Sequence, residues 1–469
     1  MRRLWLVVVV AVVAAAAVFL ISQQTKVWLP AFAFPPGASP EAALPARVYL
    51  GSLTLPTFKV EDFSYTPPPF AMDEVGRGYP HRRADRDLLR WDSRRAEDRT
   101  YTTVVLENEY LKLTMLPALG GRLFEAIFKP TGKQVFFRER RLAPYELYNC
   151  GKEWMFATGG LRFEFPTWGH DPNTEEPWEY ELHTWPNGTA SVTFSRTDLR
   201  TALVCRNHVS LDAGRSWIRL DLDLINPGDC PQEGAFWTIT GLMGTSGIEF
   251  IMPSEFAIDH GGERTYRWPV AEGVDWAYFR NWPRMQAFFA LDWKSDFSGL
   301  YDHGKGIGVV RWARPQDTPG IKLWGAPRSM NRYYVSLYGG LTQTMEEKVT
   351  FAPGEVRHWV ELWYPLVGTR GLTRASREVA LSLHTDDGKL VVGMIPTRTR
   401  DAATVHVARG DTVLLDKAVD LTPQRGRMET VDLAGAGGTL TVRITGADHR
   451  VLLEESVGIN EIRPVFGAK

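Results

Sequence analysis

The chain has 469 residues, of which 44% are hydrophobic and 23% charged, so its composition is that of a globular protein rather than a disordered one. A formal net charge of −1 excludes the strongly basic surface typical of nucleic-acid-binding proteins. Aromatic residues are abundant, with 17 Trp, 15 Tyr and 23 Phe. They predict an aromatic β-sheet core or, where Trp stands beside polar residues, a surface that stacks on sugar rings.

The N-terminus has the pattern of a membrane anchor. Arg2 and Arg3 precede an uncharged apolar run from Leu4 to Ile21, about 18 residues and just long enough to span a bilayer as a helix. The residues after this run offer no good cleavage site, so we expect an uncleaved single-pass signal anchor over residues 1–29. The alternative is a removed signal peptide, because small-residue cleavage patterns occur inside the apolar run. The two arginines favour a cytoplasmic N-terminus, which predicts that the rest of the chain lies on the periplasmic or extracellular side of the cell membrane.

Residues 30–99 are predicted to be a spacer and an N-terminal cap. A proline-rich stretch from Pro30 to Pro45 is typical of an extended spacer, and ARVYLGSLTLPTF then predicts a short strand. Residues 77–99 are rich in arginine, but interleaved carboxylates cancel much of that charge, which favours a solvated linker or cap.

From residue 100 to about residue 370 the pattern is that of β-strands. YTTVVLENEYLKLTMLP alternates apolar and polar residues, and PTGK and WPNG are turn sequences between strands. At most, residues 372–383 have a helical pattern. Such a continuous series of strands predicts large packed antiparallel sheets. Within residues 371–469, short strands recur from about Lys389 and predict a small C-terminal β-sandwich. The fold class is therefore all-β with one N-terminal transmembrane helix.

Three cysteines, Cys150, Cys205 and Cys230, fit an oxidising compartment. One pair would bridge and one thiol would be left over, and the sequence leaves the pairing open. Their wide spacing does not match a zinc site, so we expect no metal, and nothing in the sequence predicts another cofactor.

Polar residues with an available chemistry cluster in a few segments. Glu164 and His170 lie in GGLRFEFPTWGHDP, and two Asp-His pairs follow at Asp259-His260 and Asp302-His303. A carboxylate and a histidine on opposite sides of a sugar can exchange protons with it, and two carboxylates can hydrolyse a glycosidic bond. The alternative is that these side chains make turns, loop hydrogen bonds or salt bridges. The predicted substrate-binding residues are Arg162, Trp168, Trp324 and Arg328.

The chain resembles a known family. LENEYLKLTMLPALGGRLFEAIFKPTGKQVFF, residues 106–137, is similar to the opening strands of galactose mutarotase-like (aldose 1-epimerase-like) β-supersandwich domains. GGLRFEFP with a following histidine, PSEFAIDHGGERTYRWP, GLYDHGKGIG, LWGAP and ELWYP then match, in order, segments of the bacterial domain-of-unknown-function family DUF5107. The resemblance covers roughly residues 100–370 and implies a galactose-mutarotase-like supersandwich there.

The chain departs from that pattern at the first segment after the opening strands. Arg162 stands where the family has Glu, and Glu164 stands where it has Asn. A shift of two residues keeps the carboxylate on the same face of a strand. Ser336 likewise stands in a segment where the family has Glu-Leu.

Two functional hypotheses follow for a membrane-anchored extracytoplasmic protein that binds carbohydrate. In the first, it is a sugar mutarotase or epimerase, or a glycoside hydrolase or lyase. Glu164 or a neighbouring Asp would then exchange protons with His170, His260 or His303, while Trp168 and Trp324 stack on the ring. In the second, it is a non-catalytic glycan-binding or envelope scaffold module. The resemblance alone does not decide, because such supersandwiches carry several chemistries.

Overall fold

The computed structural model describes residues 43–60, 91–142, 147–149, 153–155, 159–166, 172–174, 176–293, 295–329, 332–433 and 437–467. The predicted anchor at residues 1–29 lies outside these ranges, as do Cys150, Trp168 and His170, so what the sequence predicts for these residues stays a prediction. Within the described ranges, no helix is both long and apolar enough to cross a bilayer.

The described chain is almost entirely β-structure, as the sequence pattern predicts. The strands of its first half are β1 (Arg47–Val60), β2 (Trp91–Glu107), β3 (Leu111–Leu116), β4 (Arg122–Phe128), β5 (Lys133–Phe136), β6 (Leu147–Asn149), β7 (Glu153–Met155), β8 (Gly160–Glu164), β9 (Glu179–Thr184), β10 (Ala190–Thr197), β11 (Val204–Leu211), β12 (Ile218–Ile225), β13 (Gln232–Gly234), β14 (Trp237–Gly244), β15 (Ile248–Ile251), β16 (Phe256–Asp259) and β17 (Thr265–Arg267).

The strands of its second half are β18 (Val270–Ala271), β19 (Val274–Asp275), β20 (Gln286–Ala290), β21 (Phe297–Asp302), β22 (Ile307–Ala313), β23 (Gly320–Ser329), β24 (Arg332–Gly340), β25 (Val349–Phe351), β26 (Val356–Val367), β27 (Arg374–Ala375), β28 (Val379–Asp386), β29 (Lys389–Pro396), β30 (Arg400–Arg409), β31 (Thr412–Leu421), β32 (Arg427–Asp432), β33 (Thr439–Thr445) and β34 (Val451–Gly458). Short 3-10 helices occur at Pro172–Thr174, Phe279–Asn281 and Ile459–Glu461.

Two large antiparallel sheets form the main body. One has 12 strands in the order β1-β2-β3-β4-β8-β14-β24-β23-β20-β16-β17, with β5 paired to β4. The other has eight strands in the order β15-β21-β22-β26-β12-β11-β10-β9. Their side chains share one hydrophobic core, in which Phe236 meets Trp359 edge-on with ring centroids 4.8 Å apart. The predicted sheet-on-sheet architecture is therefore observed.

A buried ion pair joins the two sheets inside this core. Glu361 on β26 accepts hydrogen bonds from Arg311 Nε at 3.1 Å and from Arg311 Nη2 at 2.9 Å. It also accepts from Thr238 Oγ1 of the 12-stranded sheet and from Trp363 Nε1, both at 2.9 Å. Both partners are essentially inaccessible to solvent. Because the carboxylate has a guanidinium and several donors, its desolvation is compensated.

The C-terminal region is a small sandwich, as predicted from its strand spacing. Two four-stranded sheets, β27-β28-β29-β32 and β31-β30-β33-β34, enclose their own hydrophobic cluster. The helical alternative for residues 372–383 is wrong, because that segment forms β27 and part of β28. Val379, Leu381 and Leu383 point into the cluster at every second position, and this period of two belongs to a strand.

A polar junction attaches the sandwich to the main body. Glu378 accepts hydrogen bonds from Arg215 Nη1 at 2.9 Å and from Arg400. Tyr364 Oη donates to the carbonyl oxygen of Ser376 at 2.8 Å. The junction therefore depends on charge pairing as well as on apolar burial.

Two of the three cysteines lie in the described part of the chain. Cys205 is buried and Cys230 exposed, and both are free thiols. These two residues therefore do not bridge to each other.

Candidate functional site

The 12-stranded sheet has a second face, directed away from the core that it shares with the eight-stranded sheet. On β8, Leu161 and Phe163 enter that core, so Arg162 and Glu164 point to the opposite side. We call this side the outer face. On strands β8, β14, β24, β23 and β20 it carries Arg162, Glu164, Trp237, Ile239, Tyr334, Ser336, Tyr338, Lys322, Trp324 and Phe289.

Strand register aligns these residues into rows across the sheet. One row runs from Arg162 through Ile239, Tyr338 and Lys322 to Phe289, each the direct cross-strand partner of the next. Direct partners have Cβ atoms about 5 Å apart, so their side chains contact one another. The outer face is therefore a continuous and mostly buried layer of side chains contributed by five strands.

A second row shows how the backbone makes room for large aromatic rings. Glu164 pairs with Trp237, which pairs with Gly340. A Cβ atom at Gly340 would collide with the Trp237 indole, and one at Gly241 would collide with the Tyr334 hydroxyl. The indole of Trp237 is fully buried, and its Nε1 has no hydrogen-bond partner among the described residues. A buried N–H group without a hydrogen-bond partner is rare in folded proteins.

Glu164 lies at the centre of the face, beside a guanidinium. Its side chain is 0% exposed, and its Oε1 lies 3.0 Å from Arg162 Nε. Arg162 is 12% exposed. Arg122 is also buried and donates to the carbonyl oxygens of Gly159 and Thr174, each at 3.4 Å. A guanidinium therefore accompanies this carboxyl group out of water, and their attraction offsets part of the desolvation penalty.

Lys322 is a buried lysine on the outer face, and lysines are seldom buried in folded proteins. It is 3% exposed, and its Nζ lies 3.0 Å from the Met345 sulfur. The ammonium also lies over the rings of Phe289 and Tyr338, at 5.0 Å and 4.9 Å from their centroids. Burial lowers the pKa of Lys322 to about 7, against an opposing effect of the Glu346 charge. An amine poised near neutral pH is characteristic of functional sites.

The charges of Arg162 and Glu164 also act on Lys322, so the three groups share one electrostatic environment. Burial raises the pKa of Tyr334 and of Tyr338, while the Arg162 charge opposes the rise. Both phenols are therefore neutral hydrogen-bonding groups at physiological pH. Together the face offers a carboxylate, two kinds of cation, two phenols and two indoles.

Of the residues predicted from sequence, Arg162, Glu164, Trp324 and Asp259 lie on strands of this sheet, and His260 lies next to it. Trp324 packs edge-on against Tyr334, with ring centroids 5.9 Å apart. His260 is exposed and stacks on Phe289 at 6.2 Å. It follows directly after β16, which is five strand spacings from β8 in the sheet order. At about 4.8 Å per spacing, the backbones of β8 and β16 are about 24 Å apart measured along the sheet.

The predicted aspartates lie away from Glu164. Asp259 accepts hydrogen bonds from the backbone N–H groups of Glu263 and Arg264 and so closes a turn. Asp302 belongs to the eight-stranded sheet and accepts hydrogen bonds from Thr245 N at 3.0 Å and Thr245 Oγ1 at 2.6 Å. The structure therefore does not bring either aspartate to Glu164.

His303 also lies away from the outer face. Its Nε2 is 2.9 Å from Glu249 Oε2, and its ring stacks on Phe466 at 4.3 Å. Arg463 donates to the other oxygen of Glu249. His303 is therefore part of the contact between the main body and the C-terminal end of the chain. The side chain of Arg328, on β23, lies outside the described part of the structure.

Sequence reasoning did not single out Lys322, Tyr334, Tyr338, Trp237 or Arg122. The sequence holds a signal for two of them. Lys322 is two residues before Trp324 and therefore on the same face of a strand, and Arg122 ends the LPALGGR turn. What the sequence lacks is the strand order that brings these segments together. In the described part of the chain, no group of three or more His, Cys, Asp or Glu side chains is placed to hold a metal ion.

The family comparison agrees with the sequence motifs. The model of the domain-of-unknown-function family DUF5107 matches residues 88–366, more than half of the chain. The chain therefore belongs to the DUF5107 family, and the recognition made from sequence is confirmed. A second model, described as YphG-like protein, second domain, matches residues 374–454 in the C-terminal sandwich.

Solved structures share the fold. A TPR-domain containing protein from Parabacteroides distasonis is similar with a TM-score of 0.58 and 21% identity over 69% of this chain. The match covers 56% of that protein, so the chain spans little more than half of its relative's length. Lower similarity is found to the Slr1438 protein of Synechocystis, with a TM-score of 0.46, 14% identity and coverage of 56% of this chain and 96% of that one. A putative aldose 1-epimerase from Klebsiella pneumoniae has a TM-score of 0.44, 12% identity and coverage of 57% and 80%.

Proposed function

We propose that the protein is a carbohydrate-binding protein and that its binding site is the outer face of the 12-stranded sheet. The observation that carries the proposal is the alignment of Arg162, Tyr338 and Lys322 in one row beside the aromatic side chains of Trp324 and Tyr334. Sugar rings present apolar C–H faces that pack on aromatic rings and hydroxyls that bond to charged and phenolic groups. The outer face supplies both kinds of contact.

The geometry favours binding over a Glu164–His260 acid–base pair. A general base must come within about 3 Å of the proton that it removes, whereas these two side chains are five strand spacings apart. Glu164 is moreover fully buried and neutralised by Arg162. A glycan of several residues lying across the strands would contact both positions, but one sugar ring would not.

An enzyme is the second candidate, as a sugar epimerase or a glycoside hydrolase or lyase. The observation in its favour is that Glu164 and the amine of Lys322 act on each other electrostatically, with the pKa of Lys322 at about 7. A group with that pKa can exchange a proton at neutral pH. His170 stays a predicted partner of Glu164 and lies outside the described residues.

A glycan panel on the purified full-length chain, measured for binding and for product, tests both candidates. We expect Trp324→Ala to weaken glycan binding about tenfold or more, because it removes a stacking surface. Trp185→Ala, in a hairpin of the other sheet, is the matched control and should bind normally. If no glycan binds to the wild type, the proposal is wrong.

Glu164→Gln separates the two candidates in the same assay. Retained glycan binding without any product in wild type or variant supports a non-catalytic module. A product that forms with the wild type and disappears with Glu164→Gln supports the enzyme.

We also propose that residues 1–29 anchor the protein in the cell membrane with the sheets on the extracytoplasmic side. The support is the apolar run after Arg2 and Arg3. Alkaline phosphatase fused after Lys469, which is active only outside the cytoplasm, should be active and remain with the membrane fraction. An inactive fusion, or one released into the soluble fraction, would contradict this topology.

A further inference from the structure

Three arginines surround Glu378 at the junction between the main body and the C-terminal sandwich. Arg215 Nη1 donates a hydrogen bond to Glu378 Oε2 at 2.9 Å, and Arg400 Nη2 donates to the same oxygen. Arg398 Nε lies 3.9 Å from this oxygen and forms an ion pair with it. Three guanidinium groups therefore converge on one carboxylate oxygen. We call Arg215, Glu378, Arg398 and Arg400 the junction cluster.

The backbone holds the junction cluster in place. Ser216 N donates to the carbonyl oxygen of Thr397, and Thr397 N donates to the carbonyl oxygen of Glu378, each at 2.8 Å. Arg215 Nη1 also donates to Thr397 Oγ1 at 3.2 Å, and its guanidinium lies over the Trp217 ring, 4.2 Å from the centroid. The segments that carry the cluster are thus joined to one another, so its charged groups are positioned before any ligand binds.

The junction cluster has more positive than negative charge. Charges taken out of water are normally paired, but here one carboxylate faces three guanidiniums. The exposed Asp448 acts on Arg398 from the margin. Arg377, which is also exposed, adds a positive charge on which Arg215 and Glu378 act. Its guanidinium lies 5.3 Å from the centroid of the Trp312 ring and forms no ion pair with a carboxylate of the described residues.

The pKa of Arg398 shows the same imbalance. Burial and the charges of Arg215 and Arg400 lower this pKa, and the charges of Glu378 and Asp448 oppose the fall without overcoming it. A guanidinium whose charged form is disfavoured by its neighbours gains when an anion arrives.

The junction cluster is open to solvent. Its four side chains are between 11% and 23% exposed, and Arg398 is the most exposed of them. The Nε atoms of Arg398 and Arg400 are buried and have no hydrogen-bond partner among the described residues. The two terminal nitrogens of Arg398 are not enclosed, and no acceptor of the described residues uses them. Arg398 therefore has N–H donors that a ligand from solvent can reach.

We propose that the junction cluster is a binding site for a phosphate or sulfate group, which Arg398 binds together with Arg215 and Arg400. Guanidinium groups bind such oxyanions through paired, charge-assisted hydrogen bonds. A dianion matches the two positive charges that Glu378 leaves uncompensated, whereas a carboxylate supplies one charge. This site is separate from the outer face and does not depend on the proposed carbohydrate binding.

The bound anion joins two parts of the chain. Arg215 belongs to the loop between β11 and β12 of the main body, whereas Arg398 and Arg400 belong to the C-terminal sandwich. A ligand that binds the folded chain and not the unfolded one stabilises the folded state by mass action. We therefore expect the melting temperature to rise as the concentration of the anion is increased.

Calorimetric titration of the full-length chain in neutral detergent micelles tests the inference. The arms are inorganic phosphate, inorganic sulfate, a hexose phosphate and sodium chloride, at about pH 7.5 and constant ionic strength. We expect at least one dianion to bind saturably at one site, about tenfold or more tightly than chloride. Tighter binding of the hexose phosphate than of inorganic phosphate identifies a phosphorylated sugar as the ligand, and equal or weaker binding identifies the free anion.

Arg398→Gln removes the guanidinium that has the longest contact with Glu378. It should weaken binding of the dianion about tenfold with little change in the free energy of unfolding, because Arg398 forms no hydrogen bond with the described residues. Arg443→Gln is the matched control, since it removes an exposed arginine of the same sandwich that pairs with Glu454, and it should bind normally. If the wild type binds no dianion more tightly than chloride, or if Arg398→Gln binds as the wild type does, the inference is wrong. Either result leaves the proposed carbohydrate binding untouched, because the glycan panel measures that separately.

Discussion

Two buried arginine–glutamate pairs in the main body illustrate two uses of the same chemistry. Arg311 and Glu361 lie between the two sheets, where the carboxylate accepts hydrogen bonds from the guanidinium, a threonine and a tryptophan. Arg162 and Glu164 lie on the outer face, where Arg162 retains some exposure and a third charged group, Lys322, is buried nearby. The first pair is enclosed by partners from both sheets, whereas the second lies near the buried amine of Lys322, whose pKa burial lowers to about 7. Burying an amine costs stability, and proteins retain such a cost mainly where function requires it.

The largest expected effect is on the enclosed pair. Arg311→Leu leaves the Glu361 carboxylate buried without its cation, and we expect the free energy of unfolding to fall by about 3–5 kcal/mol. Denaturant unfolding of wild type and variant measures this change. Arg314→Leu, which removes an exposed pair with Asp317, is the control and should cost less than about 1 kcal/mol. If Arg311→Leu also costs less than about 1 kcal/mol, the enclosed pair stabilises the protein no more than an exposed pair does, and the contrast with Arg162 and Glu164 fails.

On the outer face we expect the removal of a buried charge to stabilise the protein rather than destabilise it. Lys322→Met removes a buried cation, and we expect the free energy of unfolding at pH 6 to rise by about 3 kcal/mol. The pKa of Lys322 is lowered from its usual value to about 7 in the folded protein. Between pH 7 and about 10.5 the unfolded chain therefore binds more protons, so wild-type stability rises with pH and the advantage of the variant shrinks. Unfolding curves at pH 6 and pH 9.5 test this; a destabilised variant at pH 6 contradicts it.

A smaller effect is expected at the junction with the C-terminal sandwich. Burial favours a raised pKa for Glu378, but the charges and hydrogen bonds of Arg215 and Arg400 overcome it and lower the pKa to about 2. A carboxyl group with a lowered folded-state pKa stabilises the protein above its unfolded value, and that contribution is lost as the pH falls from about 4.5 to 2. We expect Glu378→Gln to reduce this acid-dependent loss by about 2 kcal/mol. Thermal unfolding at pH 5 and pH 2.5 measures the difference, with Glu454→Gln on an exposed strand as the control.

The smallest expected effect separates ligand contact from stability at Trp237. Trp237→Phe removes the unpartnered Nε1–H but keeps most of the ring, so we expect the free energy of unfolding to change by about 1 kcal/mol or less. If the indole N–H serves the ligand, glycan affinity should fall by about three- to tenfold, which corresponds to one neutral hydrogen bond. Trp185→Phe is the matched control for the assay. A large fall in the free energy of unfolding with unchanged glycan affinity would show that Trp237 is a structural residue, as Arg311 and Glu361 are, and would contradict a role in ligand binding.

Much of the fold could be predicted from local patterns. The alternation in YTTVVLENEYLKLTMLP predicts β2 and β3, and Asn187-Gly188 predicts the turn between β9 and β10. The C-terminal strands are likewise predicted from short apolar runs between turns. Residues 372–383 are harder to predict, because the apolar residues at 372, 375 and 379 have helical spacing whereas those at 379, 381 and 383 alternate as in a strand. Their pairing with β29 decided the outcome, and such a partner is invisible to a local argument.

The site was predictable only in part. Composition and family motifs single out Arg162, Glu164 and Trp324, and the structure places all three on one sheet. The same reasoning groups Asp302 and His303 with them, although Asp302 belongs to the other sheet and His303 lies in the turn that follows it. A polar residue at a strand end has the same appearance in the sequence, whichever sheet its strand joins.

The sequence by itself determined the all-β class, the family and the positions of most strands, because period-two alternation and turn residues act over a few neighbouring residues. The tertiary structure alone decided which polar groups share a neighbourhood. Strands β8, β14, β24 and β23 are far apart in the chain but adjacent in the sheet, and this order places Arg162, Tyr338 and Lys322 in one row. It also buries the Lys322 amine, and burial is what brings its pKa close to neutral pH.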